Sequence, residues 1–345
     1  MVRSPLVSGA LLALLAALAF GVTTPIVAWA GRGIGPLTTA ALLYAGAAVS
    51  ALALARLERA GPTLGRPQRA RLVVIAIVGA GIAPTLLAWG LQRIGATSGA
   101  LLLNLEAVFT VGLAWAIHRE PIGARVLTAL GLMALGGVTL TYEGARDAWS
   151  MLGVLAVTGA TFAWALDNTL TRALADHDPV RVVAGKAGLG AAITTTCALV
   201  SGEPLPRVIA VLCLLACGAT GYGLSLSLYL LAQRRIGAAR TGSLFALAPF
   251  VGAAIGWAAG ERASGWTLAS GVLFAVGVGL HVTERHTHPH QHPALTHEHA
   301  HRHDDGHHGH VHDPPVVGEH THPHDHDVLE HDHEHAPDLH HDHAH

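Results

Sequence analysis

The chain is 345 residues long, 51% hydrophobic and only 13% charged, and it carries three cysteines. So apolar a composition excludes an ordinary soluble globular protein, and no basic excess points to nucleic acid. The formal net charge of −2 is uninformative because the charges are segregated: residues 1–285 hold eleven of the 23 acidic residues and three of the 26 histidines, and residues 286–345 hold the others.

Taken in chain order, hydropathy predicts ten apolar segments near 6–29, 36–56, 71–90, 97–117, 123–142, 150–172, 180–200, 207–232, 238–259 and 265–283. Each is about 19–25 residues, long enough at 1.5 Å per residue to span a ~30 Å hydrocarbon core. Gly, Pro and charge separate them, as at Gly31-Arg32-Gly33-Ile34-Gly35-Pro36, Arg59-Ala60-Gly61-Pro62, Asp176-His177-Asp178-Pro179 and Gly202-Glu203-Pro204. Ala28-Trp29-Ala30 mimics a signal-peptide cleavage site, but the apolar stretch before it is too long for an h-region, so the segment is expected to stay as a span.

The chain repeats itself. Arg93-Ile94-Gly95-Ala96 recurs as Arg235-Ile236-Gly237-Ala238, Trp115-Ala116 falls on Trp257-Ala258, and Gly123 falls on Gly265. Residues 1–142 and 143–285 are thus read as two five-helix repeats. Five is odd, so the second repeat must insert upside down relative to the first. The positive-inside rule agrees. With the N-terminus inside, fourteen Arg are cytoplasmic (including the cluster Arg56, Arg59, Arg66, Arg69 and Arg71), against five on the other side: Arg32, Arg93, Arg146, Arg207 and Arg262. The expected fold is an all-α membrane protein of ten transmembrane helices in two inverted five-helix repeats, multi-pass in the inner (plasma) membrane, with both termini cytoplasmic.

The fourth segment reads Leu105-Glu106-Ala107-Val108-Phe109 and is followed by Glu120; the ninth contains Ala248-Pro249-Phe250 and is followed by Glu261. With two inverted five-helix repeats, this resembles the EamA-like branch of the drug/metabolite transporter superfamily, whose Leu-Glu-Pro-Val-Phe run precedes a helix-terminal Glu. The resemblance covers residues 5–284. Ala107 stands where the family often has Pro, and Ala248 is not acidic. What the resemblance implies is passage of a small metabolite or drug across the inner membrane, commonly efflux, with no fixed substrate. The sequence shows no paired-Asp, Ser–His or ATP-binding motif, so an enzyme is not expected.

Ionisable groups inside spans normally face a bundle interior or cavity. Glu106, near the middle of its span, is the leading candidate for a substrate-cation or proton site, against a structural hydrogen bond. Asn104, two residues away, is expected at a helix–helix contact. Asp167, Asn168 and Thr169 lie near the inner end of the sixth span, and their repeat equivalents Thr23, Thr24 and Pro25 lie near the outer end of the first. Lys186 sits at a depth similar to Asp167, and both a structural pair and a substrate role stay open. Pro25 and Pro84 should kink their spans. The expected pathway comprises Glu106, Asp167, Asn168, Lys186, Thr24, Tyr44 and Trp115, with Trp89, Trp164 and Trp257 as further walls; simple packing is the alternative for each aromatic. Cys197, Cys213 and Cys217 show no disulfide or metal spacing.

Residues 286–345 form the third region, a cytoplasmic tail with no apolar periodicity, expected to be disordered. His alternates with other residues at His286, His288, His290, His292, His297, His299, His301 and His303. It continues at His307, His308, His310, His312, His320, His322, His324, His326, His331, His333, His335, His340, His341, His343 and His345. Neutral imidazole with interleaved carboxylates suits Ni²⁺, Zn²⁺, Co²⁺ or Cu²⁺ in loose, multiple coordination. No cofactor is required otherwise. The partners expected are the lipid bilayer and a small-molecule or metal-ion substrate, with a homo-oligomer left open. Three readings follow: a metal-ion exporter, an exporter of an organic metabolite or amino acid with an incidental or regulatory tail, and a membrane-anchored metal store or sensor.

Overall fold

The computed structural model describes residues 5–56, 65–118, 122–144, 148–174, 178–236, 238–283, 286–292, 295–301, 320–326 and 329–335. Two compact units result, residues 1–284 and 285–345.

The first unit is helical wherever it has regular structure. Its first segment is α1 (Pro5–Gly21) and α2 (Thr23–Ala30), interrupted at Val22. Pro25 lies in the first turn of α2, where a missing N–H is tolerated, so the interruption falls just before it. After α3 (Pro36–Ala55) come α4 (Arg66–Ile75), a π-helix (Ala76–Ile82) and α5 (Ala83–Leu102). Then follow α6 (Leu105–His118), α7 (Ala124–Gly144), α8 (Ala148–Thr171) and α9 (Pro179–Val200). A second π-helix (Gly218–Leu224) joins α10 (Val208–Cys217) to α11 (Ser225–Ile236), and α12 (Ala238–Phe245), α13 (Ala248–Ala258) and α14 (Gly265–Val282) complete the unit.

Among the described residues, nine helical runs are long and apolar enough to cross a membrane, and Leu105–Ile117 is a shorter apolar helix. The expected continuous fourth span, 97–117, is therefore corrected. Its first turns belong to the run Arg66–Leu102, and a break at Leu103–Asn104 separates them from α6. Within that run Gly95 leaves the helical region at φ 76°, ψ 178°, a conformation only glycine adopts without strain, and the helix kinks there.

The two halves carry the same irregularities. The π-helices at 76–82 and 218–224 are 142 residues apart, the distance between the matching sequence runs. The break at Leu103–Asn104 recurs at Ala246–Leu247, between α12 and α13. Close packing rests on small residues, as apolar lipid tails provide no driving force of their own. Gly218 lies so near the Leu43 carbonyl, and Gly46 so near that of Leu215, that a Cβ at either would overlap backbone. The outward surface is apolar: Leu127, Val138, Leu199 and Val272 are each about 60% exposed or more.

The loops at residues 31–35, 201–206 and 259–264 meet the Gly95 kink of α5 at one end of the bundle. There the Glu203 carboxylate accepts from Leu37 N (3.1 Å), Thr38 N (2.7 Å) and Thr38 Oγ1 (2.6 Å). Glu261 accepts from Ala96 N (2.8 Å) and Thr97 N (2.7 Å). Gln92 Nε2 donates to the carbonyls of Gly31 and Ile34, each at 3.0 Å.

The tail, expected to lack regular structure, departs from that in four described segments. β1 (His286–His292) pairs antiparallel with β4 (Leu329–His335), and β2 (Leu295–His301) with β3 (His320–His326). His at every second position is strand periodicity, a signal that a reading based only on missing apolar residues passes over. In register His286, His288 and His290 face His335, His333 and His331.

Candidate functional site

The break before α6 places Glu106 in that helix's first turn. Backbone bonds there tighten to the i−3 pattern, Glu106 N to the Leu103 carbonyl and Ala107 N to that of Asn104. Asn104 is buried and turns its amide back onto the Leu101 carbonyl at 2.9 Å, a bond within its own turn rather than across helices. Glu106 Oε1 accepts from Asn168 Nδ2 at 2.7 Å, across from α8.

One residue earlier on α8, the buried Asp167 carboxylate forms an ion pair with Lys186 of α9. Thr171 Oγ1 donates to its other oxygen at 3.4 Å. The two carboxylates are within electrostatic range of one another, of Lys186 and of the Tyr44 hydroxyl. Glu106, Asp167, Asn168, Lys186 and Tyr44 are thus brought together from four helices.

The first π-helix sits beside them for a chemical reason. Ala83 N–H bonds the Val78 carbonyl, five residues back, and the next position that would serve Gly79 in this way is Pro84, which has no N–H. The Gly79 carbonyl is left to side chains: Tyr44 Oη donates to it at 2.7 Å and Trp164 Nε1 at 3.0 Å. A Cβ at Gly79 would overlap the Asp167 carboxylate, so glycine is what lets the π-helix approach it. π-helical turns are frequent at functional sites.

Aromatic rings continue from Tyr44. Tyr222 of the second π-helix packs against Tyr44 (centroids 5.5 Å apart), Phe20 (5.7 Å) and Trp164 (6.3 Å). Phe20 meets Phe245 at 5.5 Å, which meets Tyr229 at 5.0 Å. The Tyr222 hydroxyl is shielded from solvent beside the Thr23 side chain, whose Oγ1 donates to the Phe20 carbonyl at 2.6 Å and can accept from Tyr222.

Two expected pathway residues lie elsewhere. Trp115 is 59% exposed and shares no ring contact with this line among the described residues, and Thr24 is buried against Gly252. Trp257 is likewise outward, at 60% exposure, and Trp89 carries the Arg93 guanidinium 3.3 Å above its ring at the Gly95 kink. The same end holds a cleft of about 340 Å³ lined by Arg32, Leu91, Gln92, Arg93 and Glu261. The sequence pairs Phe20 with Trp164 as repeat equivalents but does not single out Tyr222, Tyr229 and Phe245, where each is an isolated aromatic; their mutual contact is tertiary. Of the tail histidines, His303, His307, His308, His310, His312, His340, His341, His343 and His345 lie outside the described residues, as does Glu120.

A family model for the EamA-like transporter family matches twice, over residues 7–142 and 151–283. The chain belongs to the EamA-like transporter family. Among curated relatives, an uncharacterized transporter of Methanothermobacter thermautotrophicus is 31% identical over 196 residues, 53% of this chain. The match spans 55% of that relative's length, about half. A solved crystal structure superposes with a TM-score of 0.60 over 81% of this chain and 99% of its own, at 20% identity, and so shares the fold. The two family matches coincide with the halves defined by the sequence repeat, and the family together with the apolar helical runs supports a multi-pass membrane protein.

Proposed function

We propose that this EamA-family protein is a secondary transporter that exports a small solute across the inner membrane by alternating access, along a path between two inverted repeats. One observation carries the reading: α5–α6 and α12–α13 are broken at equivalent positions, and the first turn after the earlier break presents Glu106 beside Asp167 and Lys186. Discontinuous helices at matching positions of two repeats are how many transporters build a solute site near the bilayer midplane.

Division of Arg66–Leu102 at the Gly95 kink gives ten spans, five per repeat, and five requires inversion. The loops gathered by Glu203, Glu261 and Gln92 carry Arg32, Arg93, Arg207 and Arg262, one each; the Arg-rich loops belong to the opposite end. By the positive-inside rule the clamped end is the outer one and both termini are cytoplasmic. Glu261, from the second repeat, then holds the Gly95 turn of the first, a closure that outward opening must release. The tail binds Ni²⁺, Zn²⁺, Co²⁺ or Cu²⁺ through neutral imidazoles, so protons displace metal as pH falls through the imidazole range near ~6.5.

Flux in proteoliposomes tests the reading. Glu106→Gln should fold and melt like the parent yet lose at least tenfold in transport; transport at the parent rate removes Glu106 from the mechanism. Deletion of 286–345 should abolish calorimetric Ni²⁺ binding at neutral pH and leave flux of a metabolite intact. Loss of flux together with the tail would instead favour the metal-export reading.

A further inference from the structure

We propose that the solute carried past Glu106 is a protonated amine with an aromatic or apolar body; this rests on the transporter reading above. The charge balance at the site is the first argument. Two carboxylates, Glu106 and Asp167, and one ammonium, Lys186, lie within electrostatic range of each other. Lys186 is committed to Asp167, whereas Glu106 is bonded by the neutral Asn168 amide. With both carboxylates ionised, the centre carries one negative charge in excess, and an intramembrane charge calls for a partner of opposite sign.

The walls are the second argument. Tyr44 and Trp164 both donate to the Gly79 carbonyl, beside the Asp167 carboxylate, and from Tyr44 an unbroken line of ring contacts runs through Tyr222, Phe20 and Phe245 to Tyr229, with centroids 5.0 to 5.7 Å apart. Aromatic faces beside a carboxylate attract an organic ammonium through the ring quadrupole while covering its apolar body. A transition-metal ion would need several imidazole or thiolate ligands, and a hard cation several oxygens. The groups around Glu106 are instead an amide, an already paired Asp and phenol rings. An anionic solute would meet the excess negative charge.

Two probes with one body and opposite charge decide the matter: phenethylammonium and phenylacetate, with Zn²⁺ as a third. On the purified full-length protein, phenethylammonium should bind at least tenfold more tightly than phenylacetate. Glu106→Gln should weaken its binding at least tenfold, with the melting temperature unchanged. Equal or tighter binding of phenylacetate or Zn²⁺ at this site, or amine binding insensitive to Glu106→Gln, overturns the proposal. Should Glu106→Gln fail to fold, the comparison of the two probes on the parent protein still decides. Flux of phenylacetate or Zn²⁺ without amine flux overturns the amine assignment and leaves the transporter reading standing. No flux of any solute overturns both.

Discussion

The two repeats share their backbone irregularities and differ in the chemistry placed on them. Each has a π-helix, at 76–82 or 218–224, and each has a broken helix, at 103–104 or 246–247. In each the π-helix contains a glycine packed on the repeat-equivalent residue of a neighbouring helix: Gly79 on Asp167, Gly221 on Thr23. Yet Asp167 has a charged partner in Lys186, while Thr23 is neutral and the position equivalent to Lys186 is Leu42. Glu106 has no acidic counterpart near Ala248. Both halves keep the joints, and the buried ion pair is present in one of them.

The largest expected effect tests this division of charge. Asp167→Asn leaves the Lys186 ammonium, only 18% exposed, without its carboxylate. Removal of one member of a buried pair typically costs about 3–5 kcal/mol, because the other stays buried and charged. The matching change in the other repeat, Thr23→Val, removes one neutral hydrogen bond to the Phe20 carbonyl and should cost about 0.5–1.5 kcal/mol. Thermal unfolding in detergent checks both. Equal losses would mean that the Asp167–Lys186 pair is no more structural than its neutral counterpart. Asp167→Asn combined with Lys186→Met should recover most of the loss.

A smaller effect is expected where one repeat holds the other. Glu261 accepts two backbone amides beside the Gly95 kink, so it is a charged cap delivered from a distant segment. Charge-assisted bonds of this kind contribute about 1.5–3 kcal/mol, and Glu261→Ala should lower stability by an amount in that range. If the clamp also holds the outer end closed, a cysteine placed at Gln92 should react faster with a membrane-impermeant thiol reagent from outside in Glu261→Ala than in the parent. An unchanged rate would confine Glu261 to a capping role.

Much of this arrangement is legible in the sequence. The spans follow from hydropathy, the repeat from matched runs, and the Asp167–Lys186 pair from two charges at similar depth on neighbouring helices. The rest resists for definite reasons. Glu203 and Glu261 bond amides about 165 residues away, which no local pattern announces. The fourth span looks continuous because the residues at its break, Leu103 and Asn104, include no Gly or Pro. The tail's alternation reads first as composition, although its period also permits strands. The aromatic line is assembled from separate segments, and no single ring announces it. The π-helices leave no hydropathy signal; only Pro84, displaced one turn beyond the Gly79 carbonyl, hints at the first.

That proline supplies the finest test of the comparison. In the first repeat the Gly79 carbonyl has two side-chain donors because Pro84 cannot serve it; at the equivalent position of the second repeat Leu226 carries an N–H, and Phe20 and Gly188 stand where Trp164 and Tyr44 would be. The donors are redundant, so Tyr44→Phe or Trp164→Phe alone should cost only about 0.5–1.5 kcal/mol. Both together leave a buried carbonyl unsatisfied and should cost more than the sum, with a coupling of about 1 kcal/mol. In a Pro84→Leu background, which restores the N–H found in the second repeat, the coupling should shrink toward zero. Stability of the four donor combinations measured in both backgrounds gives the answer. A coupling that persists in the Pro84→Leu background would show that the two donors cooperate through ring packing with Tyr222, and that the proline is not what sets the first repeat apart.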